Sequence, residues 1–331
     1  MIGTTTGSPI SITGLGAHVP ARIVTNQELA GLVDTTDEWI LERTGIRERR
    51  IAGDDEAMTD IALPACRQAL DAAGGDPATV DLVIVATVTP DMTFPSTAAL
   101  LADALGMPAA AAYDLSAGCT GFMYALAQAY GMLAGGLARR ALVVGGDVLS
   151  KILDWSDRST VVLFGDGAGA VVVEQVESGG FLGFELGADG AGGVNLWLPG
   201  SGSRRFEDAD RLVKMNGREV FKFATRVLVS SAQKILAECG RTIDDVDVYV
   251  PHQANVRIID HATSKLGIDP GRVVVNVDRY GNTSSGSIPL ALVDAQRDGR
   301  LVPGKLVLMT GMGAGLTWGS SLIEWTEEMA A

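Results

Sequence analysis

A chain of 331 residues is long enough for one large domain or two, and it can bury a substantial core. Hydrophobic residues make up 47% of it and 41 glycines accompany few aromatic residues, which is typical of an α/β enzyme with tight turns. The formal net charge of −14 argues against a nucleic-acid partner, because phosphates would be repelled over most of the surface. A local basic patch can still bind an acidic protein, since salt screens charges over about 8 Å.

The N-terminal segment lacks the basic start and apolar run of a signal peptide, and no stretch has the roughly 18 apolar residues of a membrane span. We therefore expect a cytoplasmic protein that does not enter a membrane. Cys66, Cys119 and Cys239 lie far apart, without the spacing of a metal site or a disulfide framework. This spacing predicts no metal and fits a reducing compartment.

In chain order, the predicted elements occur twice. An amphipathic helix ending in glycine precedes a buried strand, at residues 65–74 and 81–86 and again at 232–240 and 247–251. A strand then leads through a short elbow into a helix, with strands at 110–115 and 272–277. Paired strands follow at 141–146 and 305–311, and closing strands at 167–174 and 317–324. The pattern predicts an internal duplication.

The spacing within the two copies supports this interpretation. Cys119 lies 38 residues after Asp81, and Asn282 lies 35 residues after Asp247. We expect two similar α/β halves, residues 1–178 and 179–331, each with a sheet covered by helices. Similar halves related by a pseudo-twofold axis would bring their elbows together at the centre. The stretch 187–210, rich in glycine, serine and charge, is predicted to be a surface excursion.

Three residues at these elbows and strand ends are candidates for chemistry. Cys119 precedes a helix, where free amides and the helix dipole favour a thiolate nucleophile; the alternative is a packing cysteine, the role assigned to Cys66 and Cys239. His252 follows a buried strand, where α/β proteins gather catalytic groups, although it could equally be a loop histidine without a role. Asn282 suits a turn, but its place at the second elbow favours the site.

Two glycine-rich runs have different interpretations. Residues 311–315 offer backbone amides that can approach a reacting oxygen closely, which predicts an oxyanion hole. Residues 165–170 precede a predicted strand, whereas a dinucleotide loop follows a strand and opens a helix. The second run therefore does not predict nucleotide binding, and no P-loop motif is present in the sequence.

Together, Cys119 within Ala-Gly-Cys-Thr-Gly-Phe, His252 within Pro-His-Gln-Ala-Asn and Asn282 within Gly-Asn-Thr-Ser resemble the β-ketoacyl-acyl carrier protein synthase III family. The likeness runs almost end to end and includes motifs at 37–40, 43–49, 164–170 and 313–320. It implies an α/β thiolase fold with duplicated halves in an αβαβα arrangement, and a homodimer. It also implies decarboxylative condensation of an acyl-coenzyme A primer with malonyl-acyl carrier protein, initiating fatty-acid synthesis. Both are substrates, and no cofactor is implied.

Under this resemblance Cys119 carries the acyl group, while His252 and Asn282 hydrogen-bond the malonyl thioester oxygen as carbon dioxide leaves. The amides of Cys119 and Ala314 would hold the other oxyanion. The resemblance assigns coenzyme A contacts to Trp39, Arg43, Arg158, Gly217 and Asn255. It assigns acyl or tunnel walls to Leu163, Phe221 and Phe94, the last reaching into a partner's pocket.

The resemblance also matches a carrier-protein docking face to Lys222, Arg257 and Lys265. Ser264 departs from a position that is often basic, so docking is expected to shift towards Arg218 and Lys214. Three alternative functions stay open at this point. A priming ketosynthase or acyltransferase of a polyketide pathway would share the triad, a non-catalytic subunit would be expected to lose the nucleophile, and a cysteine hydrolase would release free acid.

Overall fold

The computed structural model describes residues 9–200, 202–206 and 211–326. The strands are β1 (Ile10–His18), β2 (Arg22–Thr25), β3 (Glu48–Ile51), β4 (Leu82–Ala86), β5 (Ala111–Leu115), β6 (Arg140–Asp147), β7 (Gly167–Gln175), β8 (Gly180–Ala188), β9 (Leu196–Trp197), β10 (Lys214–Met215), β11 (Val248–Pro251), β12 (Leu306–Gly313) and β13 (Thr317–Glu324). The α-helices are α1 (Asn26–Ala30), α2 (Asp37–Thr44), α3 (Met58–Ala73), α4 (Thr97–Ala104), α5 (Gly121–Ala134), α6 (Arg158–Val161), α7 (Gly217–Glu238), α8 (Val256–Leu266), α9 (Val277–Tyr280) and α10 (Ser287–Arg297).

Two sheets of matching topology form the body of the protein. The first has the order β1-β7-β6-β4-β5, with β4 parallel to β5 and β6, and β7 antiparallel to β6 and β1. The second has the order β8-β13-β12-β11, with β11 parallel to β12, and β13 antiparallel to β12 and β8. The duplicated halves predicted from the sequence therefore share one strand order. Their division at residue 178 stays a prediction, and it lies between β7 and β8.

The strand predicted at 272–277 is wrong. Only Val273 forms a parallel bridge, to Tyr249, and a helical turn, α9, begins at Val277. The side chain of Gln253 takes the place of a neighbouring backbone, because its amide donates to the Val274 carbonyl and its oxygen accepts from the Asn276 amide. The fifth position of the second sheet is therefore reduced to one bridge.

Helices and sheets alternate in five layers. Helices α5 and α10 lie between the sheets, and residues of both sheets join them in one core cluster. Helices α3 and α4 cover the outer face of the first sheet, while α7 and α8 cover that of the second. Side chains alternate between layers, as strand geometry requires: Ile84 packs inward, while Val83 and Val85 belong to the outer cluster that includes residues of α3 and α4. The αβαβα arrangement is confirmed.

The elbows occupy the centre, but their register differs from the prediction. Each elbow is a short 3-10 turn, Gly118–Thr120 before α5 and Ser284–Gly286 before α10. Each turn begins at a residue in the left-handed region, with φ of 57° at Gly118 and 52° at Ser284. This alignment makes Ser285, and not Asn282, the counterpart of Cys119. Ser285 also lies 38 residues after Asp247, which is the Asp81–Cys119 spacing.

The excursion between β8 and α7 is only partly a surface feature. Strands β9 and β10 pair with each other, and Leu196 of β9 lines a cavity that also contains Cys119. Among the residues described, no helix is long and apolar enough to span a bilayer. The same residues contain no group of histidine, cysteine and carboxylate side chains that could hold a metal.

Close contact between β1 and α3 depends on glycine, which gives a stability prediction. A Cβ at Gly16 would lie 2.1 Å from the Ala65 carbonyl oxygen, so the backbone of β1 or α3 must shift in the Gly16→Ala variant. We expect a loss of at least about 2 kcal/mol in the free energy of unfolding, measured by denaturant titration. Gly131→Ala in α5 is the matched control, because nothing lies within 4 Å of its Cβ. It should be neutral or up to about 1 kcal/mol more stable. Equal effects would contradict this account.

Candidate active site

Cys119 lies in the first elbow at the start of α5 and is buried. The pKa of its thiol is raised to about 11, chiefly by burial; the side chain of Ser284 and the amides of Cys119 and Ala314 oppose this rise, and the nearby charge of Asp147 adds to it. The expectation of a favoured thiolate is therefore wrong for the resting protein, because burial outweighs the elbow's hydrogen-bond donors. The same two amides lie within hydrogen-bond reach of the sulfur, where the sequence predicts an oxyanion hole.

His252 follows β11, and its amide donates to the Thr310 carbonyl oxygen at 2.8 Å. Its Nδ1 lies 2.5 Å from the Ser287 hydroxyl, whereas its buried Nε2 has no hydrogen-bond partner among the described residues. Burial lowers the pKa of His252 to about 3. The imidazole is therefore neutral at physiological pH.

Asn282 is fixed against the first half of the chain. Its amide donates to the Leu163 carbonyl oxygen at 2.8 Å, and its own carbonyl accepts from the Gly165 amide at 3.0 Å. The side-chain oxygen of Asn282 accepts from the Ser284 amide at 2.9 Å. Because that oxygen is occupied, the side-chain NH2 is the group left to bind a ligand.

These three side chains line one cavity of about 290 Å³. The predicted coenzyme A and tunnel residues line the same cavity: Trp39, Arg43, Arg158, Gly217, Asn255, Leu163 and Phe221. The sequence therefore predicted a set of residues that the fold brings together. Their individual roles stay predictions.

At the mouth of this cavity, the aromatic ring of Trp39 lies close to two cationic side chains. The guanidinium groups of Arg43 and Arg158 lie 4.8 Å and 5.1 Å from the Trp39 ring centroid. Arg158 also donates to the Asp34 carbonyl oxygen at 2.7 Å. The side-chain oxygen of Asn255 caps α8 and its amide donates to the Arg43 carbonyl oxygen, so this residue connects α8 to α2.

A second cavity of about 230 Å³ also has Cys119 in its lining. Ala314 contributes to its lining. The other apolar residues of the lining are Val88, Leu149, Ile152, Phe164, Leu196, Trp197, Leu198 and Val213. Sequence reasoning missed this set, because its members come from five separate loops and strand ends. Only Phe164, the first residue of the motif at 164–170, offered a signal.

Phe94 lines neither cavity and is 83% exposed. Lys222 lies on α7, while Arg257 and Lys265 lie on the exposed side of α8. The Arg257 guanidinium lies 5.6 Å from the Phe221 ring centroid, and Lys222 pairs with Glu219 at 2.8 Å. Of these cations only Arg257 lines the cavity, Lys265 lies in the last turn of α8, and Lys222 is paired within its own helix.

Sequence reasoning also missed Asp147, a fully buried carboxylate at the end of β6. Its partners come from both halves: Thr87 Oγ1 at 2.9 Å, the Val88 amide at 2.7 Å, Thr89 Oγ1 at 3.0 Å and Ser285 Oγ at 3.0 Å. Burial raises the pKa of Asp147, and hydrogen bonds from the Val88 amide and from the Ser284, Thr87 and Thr89 side chains oppose that rise. No sequence motif predicts a buried carboxylate at this position, because its hydrogen-bond partners are distant in sequence.

A buried cysteine, histidine and asparagine, set where two similar α/β halves meet, define a thiolase-fold condensing enzyme, which is an acyltransferase. Residues 113–190 match the family model of 3-oxoacyl-[acyl-carrier-protein] synthase III, and residues 236–325 match its C-terminal model. The chain belongs to the β-ketoacyl-[acyl-carrier-protein] synthase III family.

Relatives agree over nearly the full length. The chain is 51% identical to the β-ketoacyl-[acyl-carrier-protein] synthase III of Desulfitobacterium hafniense (strain Y51), covering 96% of this chain and 98% of that protein. A crystal structure of the corresponding Thermus thermophilus synthase is 50% identical, with a TM-score of 0.90 and coverage of 95% and 99%. The priming β-ketosynthase of the R1128 polyketide pathway is 38% identical, with a TM-score of 0.92 and 98% of both chains covered.

The pKa of Cys119 gives a prediction for its reactivity. While the pH is below the pKa, each increase of one pH unit raises the thiolate fraction about tenfold. Alkylation of Cys119 by iodoacetamide should therefore accelerate from pH 7 to pH 10 without levelling off. Timed alkylation followed by peptide mass spectrometry gives the rate at each cysteine. Cys119→Ala identifies the background from Cys66 and Cys239. A plateau below pH 8 would mean that the thiolate is already formed at neutral pH.

Proposed function

We propose that Cys119 accepts an acyl group from acyl-coenzyme A and that the enzyme then condenses it with malonyl-acyl carrier protein, initiating fatty-acid synthesis. The observation that supports this proposal is that two unlike cavities meet at one sulfur. One cavity has Cys119 together with cationic and aromatic groups in its lining, and the other has Cys119 in a lining that contains no charged side chain. A coenzyme A thioester has the same two parts, an anionic nucleotide end and an apolar acyl end.

In the first step the Cys119 sulfur bonds to the thioester carbonyl carbon. The carbonyl oxygen becomes an oxyanion held by the amides of Cys119 and Ala314, and coenzyme A leaves as its thiol with the proton from Cys119. Preorganised amides of this kind lower the barrier because they face the charge only as it develops. The acyl chain then occupies the apolar pocket.

In the second step the malonyl carboxylate leaves as carbon dioxide, and its bonding electrons form an enolate at the thioester. His252 and Asn282 donate hydrogen bonds to the enolate oxygen. The enolate carbon attacks the acyl carbonyl, the bond to Cys119 breaks, and a β-ketoacyl-acyl carrier protein is released; the Cys119 thiolate then takes up a proton from solvent. A neutral imidazole suits this role, since it donates without adding a buried charge.

The cavity mouth supports binding of the nucleotide. Trp39 and Arg158 would stack on the adenine, and Arg43 would face its phosphates. Since Arg158 now lies over the Trp39 ring, it must move aside for the base to enter. Gly217 and Asn255 would line the passage of the pantetheine arm, beside Leu163 and Phe221.

A homodimer and a cytoplasmic location belong to the same proposal. Strand β5 forms an edge of the first sheet, and the large side chain of Phe94 is exposed nearby in sequence. A second copy that covers this edge would receive Phe94 against its acyl pocket. Three free cysteines support a reducing compartment.

Acyl transfer gives the first test. Incubation with acyl-coenzyme A donors should add one acyl mass to the intact protein, and addition of malonyl-acyl carrier protein should discharge it as a β-ketoacyl product. Cys119→Ala should give no adduct. His252→Ala and Asn282→Ala should still form the adduct but lose about 10²- to 10³-fold in condensation rate. Release of free acid in place of the β-keto product would indicate a hydrolase, and an undiminished adduct on Cys119→Ala would reject the proposal.

Charge reversal tests carrier docking at Lys222, Arg257 and Lys265. The double variant Arg257→Glu/Lys265→Glu should raise the KM for malonyl-acyl carrier protein by about tenfold, because an acidic carrier then meets like charge. The KM for acyl-coenzyme A should stay unchanged. Arg67→Glu, an exposed reversal on α3 in the far layer, is the control for a charge reversal away from the docking face. Equal increases for both substrates would reject the docking role.

A further inference from the structure

The Ser287 hydroxyl is the only side-chain partner of His252 in the described part of the chain. It lies 2.5 Å from Nδ1, and both residues are about 1% exposed. Ser287 is the first residue of α10, so the helix that follows the second elbow carries it. The elbow itself is held by Asp147 through Ser285 and by close packing, since a Cβ at Gly286 would lie 2.7 Å from the Gly167 carbonyl oxygen. Ser287 therefore occupies a fixed position beside the ring.

The direction of this hydrogen bond follows from the other contact of the hydroxyl. The backbone nitrogen of Gln253 also lies 3.4 Å from Ser287 Oγ, and a backbone N–H can only donate. Among described residues, His252 Nδ1 is the one acceptor within hydrogen-bond distance of the hydroxyl. A proton on Nδ1 would leave the buried hydroxyl proton without an acceptor, which carries a desolvation penalty. Ser287 therefore donates to Nδ1.

The proton of a neutral imidazole then has one place left, Nε2. That atom is buried and has no partner within the described protein, and the His252 side chain lines the cavity that contains Cys119 and Asn282. We propose that Ser287 is a positioning residue that holds His252 in the Nε2–H tautomer, so that the ring presents an N–H donor, and not a lone pair, to the substrate thioester oxygen. This inference rests on the proposed function, in which His252 stabilises the enolate.

The two half-reactions should depend on Ser287 differently. Acylation of Cys119 uses the amides of Cys119 and Ala314, and it does not need a donor on His252. Decarboxylation and condensation need that donor. Loss of the Ser287 hydroxyl should therefore slow the second half-reaction and leave the first intact.

Kinetics test this split. In Ser287→Ala, we expect kcat for condensation to fall about 10- to 100-fold, as the loss of one buried orienting hydrogen bond predicts, while the rate of acyl-adduct formation changes less than about twofold. Ser287→Thr keeps the hydroxyl and should recover most of the condensation rate. Thermal unfolding of both variants reports whether either has lost its fold. Equal losses in the two half-reactions, or no loss in a folded Ser287→Ala protein, would overturn the inference.

Nitrogen-15 NMR reads the tautomer of His252 directly in the wild-type protein. The chain has three histidines, so histidine-selective labelling gives three imidazole spin systems, and His252→Asn identifies one of them by its absence. In the wild-type protein at pH 7.5 we expect Nε2 of His252 to be protonated and Nδ1 to be bare. A protonated Nδ1 would overturn the inference.

The proposed function and this inference fail in different ways. If no acyl adduct forms on Cys119 in the wild-type protein, the proposed function fails, and the NMR result still decides the tautomer. If the adduct and the β-keto product both form but His252 carries its proton on Nδ1, only the role of Ser287 fails.

Discussion

One buried carboxylate connects the two halves of this enzyme at the point where chemistry takes place. Asp147 ends β6 in the first half and accepts hydrogen bonds from the loop after β4 and from Ser285 in the second half. Loss of any one of these hydrogen bonds reduces the stability of the fold, because it leaves a buried donor without an acceptor and that donor keeps its desolvation penalty. The elbows that carry Cys119 and Ser287 are thus kept in register by a residue that touches neither substrate cavity. The geometry of the site depends on this interaction more than on any single catalytic side chain.

The burial that this packing imposes also sets the charge state of the site. It raises the pKa of Cys119 and lowers that of His252, so thiol and imidazole both rest in neutral form. A preformed thiolate–imidazolium pair would have to be stabilised in a low dielectric, whereas neutral donors act only when an oxyanion appears. Dry surroundings that disfavour a resting thiolate therefore strengthen every hydrogen bond made to the transition state. The cost falls on the first step, in which the thiol must lose its proton.

Much of this could be predicted from the sequence, because patterns of period two and 3.6 and the repeated spacing are local signals. They gave the duplicated halves, the elbows and, with the family motifs, the residues that line the cavity of Cys119. The failures have a common cause. The strand at 272–277 is displaced by the side chain of Gln253, the thiol pKa is set by burial, and the apolar pocket is assembled from distant loops. Each depends on contacts between segments far apart in the chain, which no local pattern reports.

The corrected register of the duplication explains how two similar halves came to hold different tasks. Aligned by their turns, Cys119 corresponds to Ser285 and Gly121 corresponds to Ser287. At position 121 a Cβ would lie 3.0 Å from the Cβ of Ala86, so a larger side chain has little room there. The second half does carry a side chain at the matching position, and its hydroxyl contacts His252. Under the proposed function, one elbow therefore supplies the nucleophile, with a glycine two residues after it, and the other supplies the hydroxyl that orients His252. A pseudo-symmetric frame can support two successive half-reactions because its equivalent positions differ in this way.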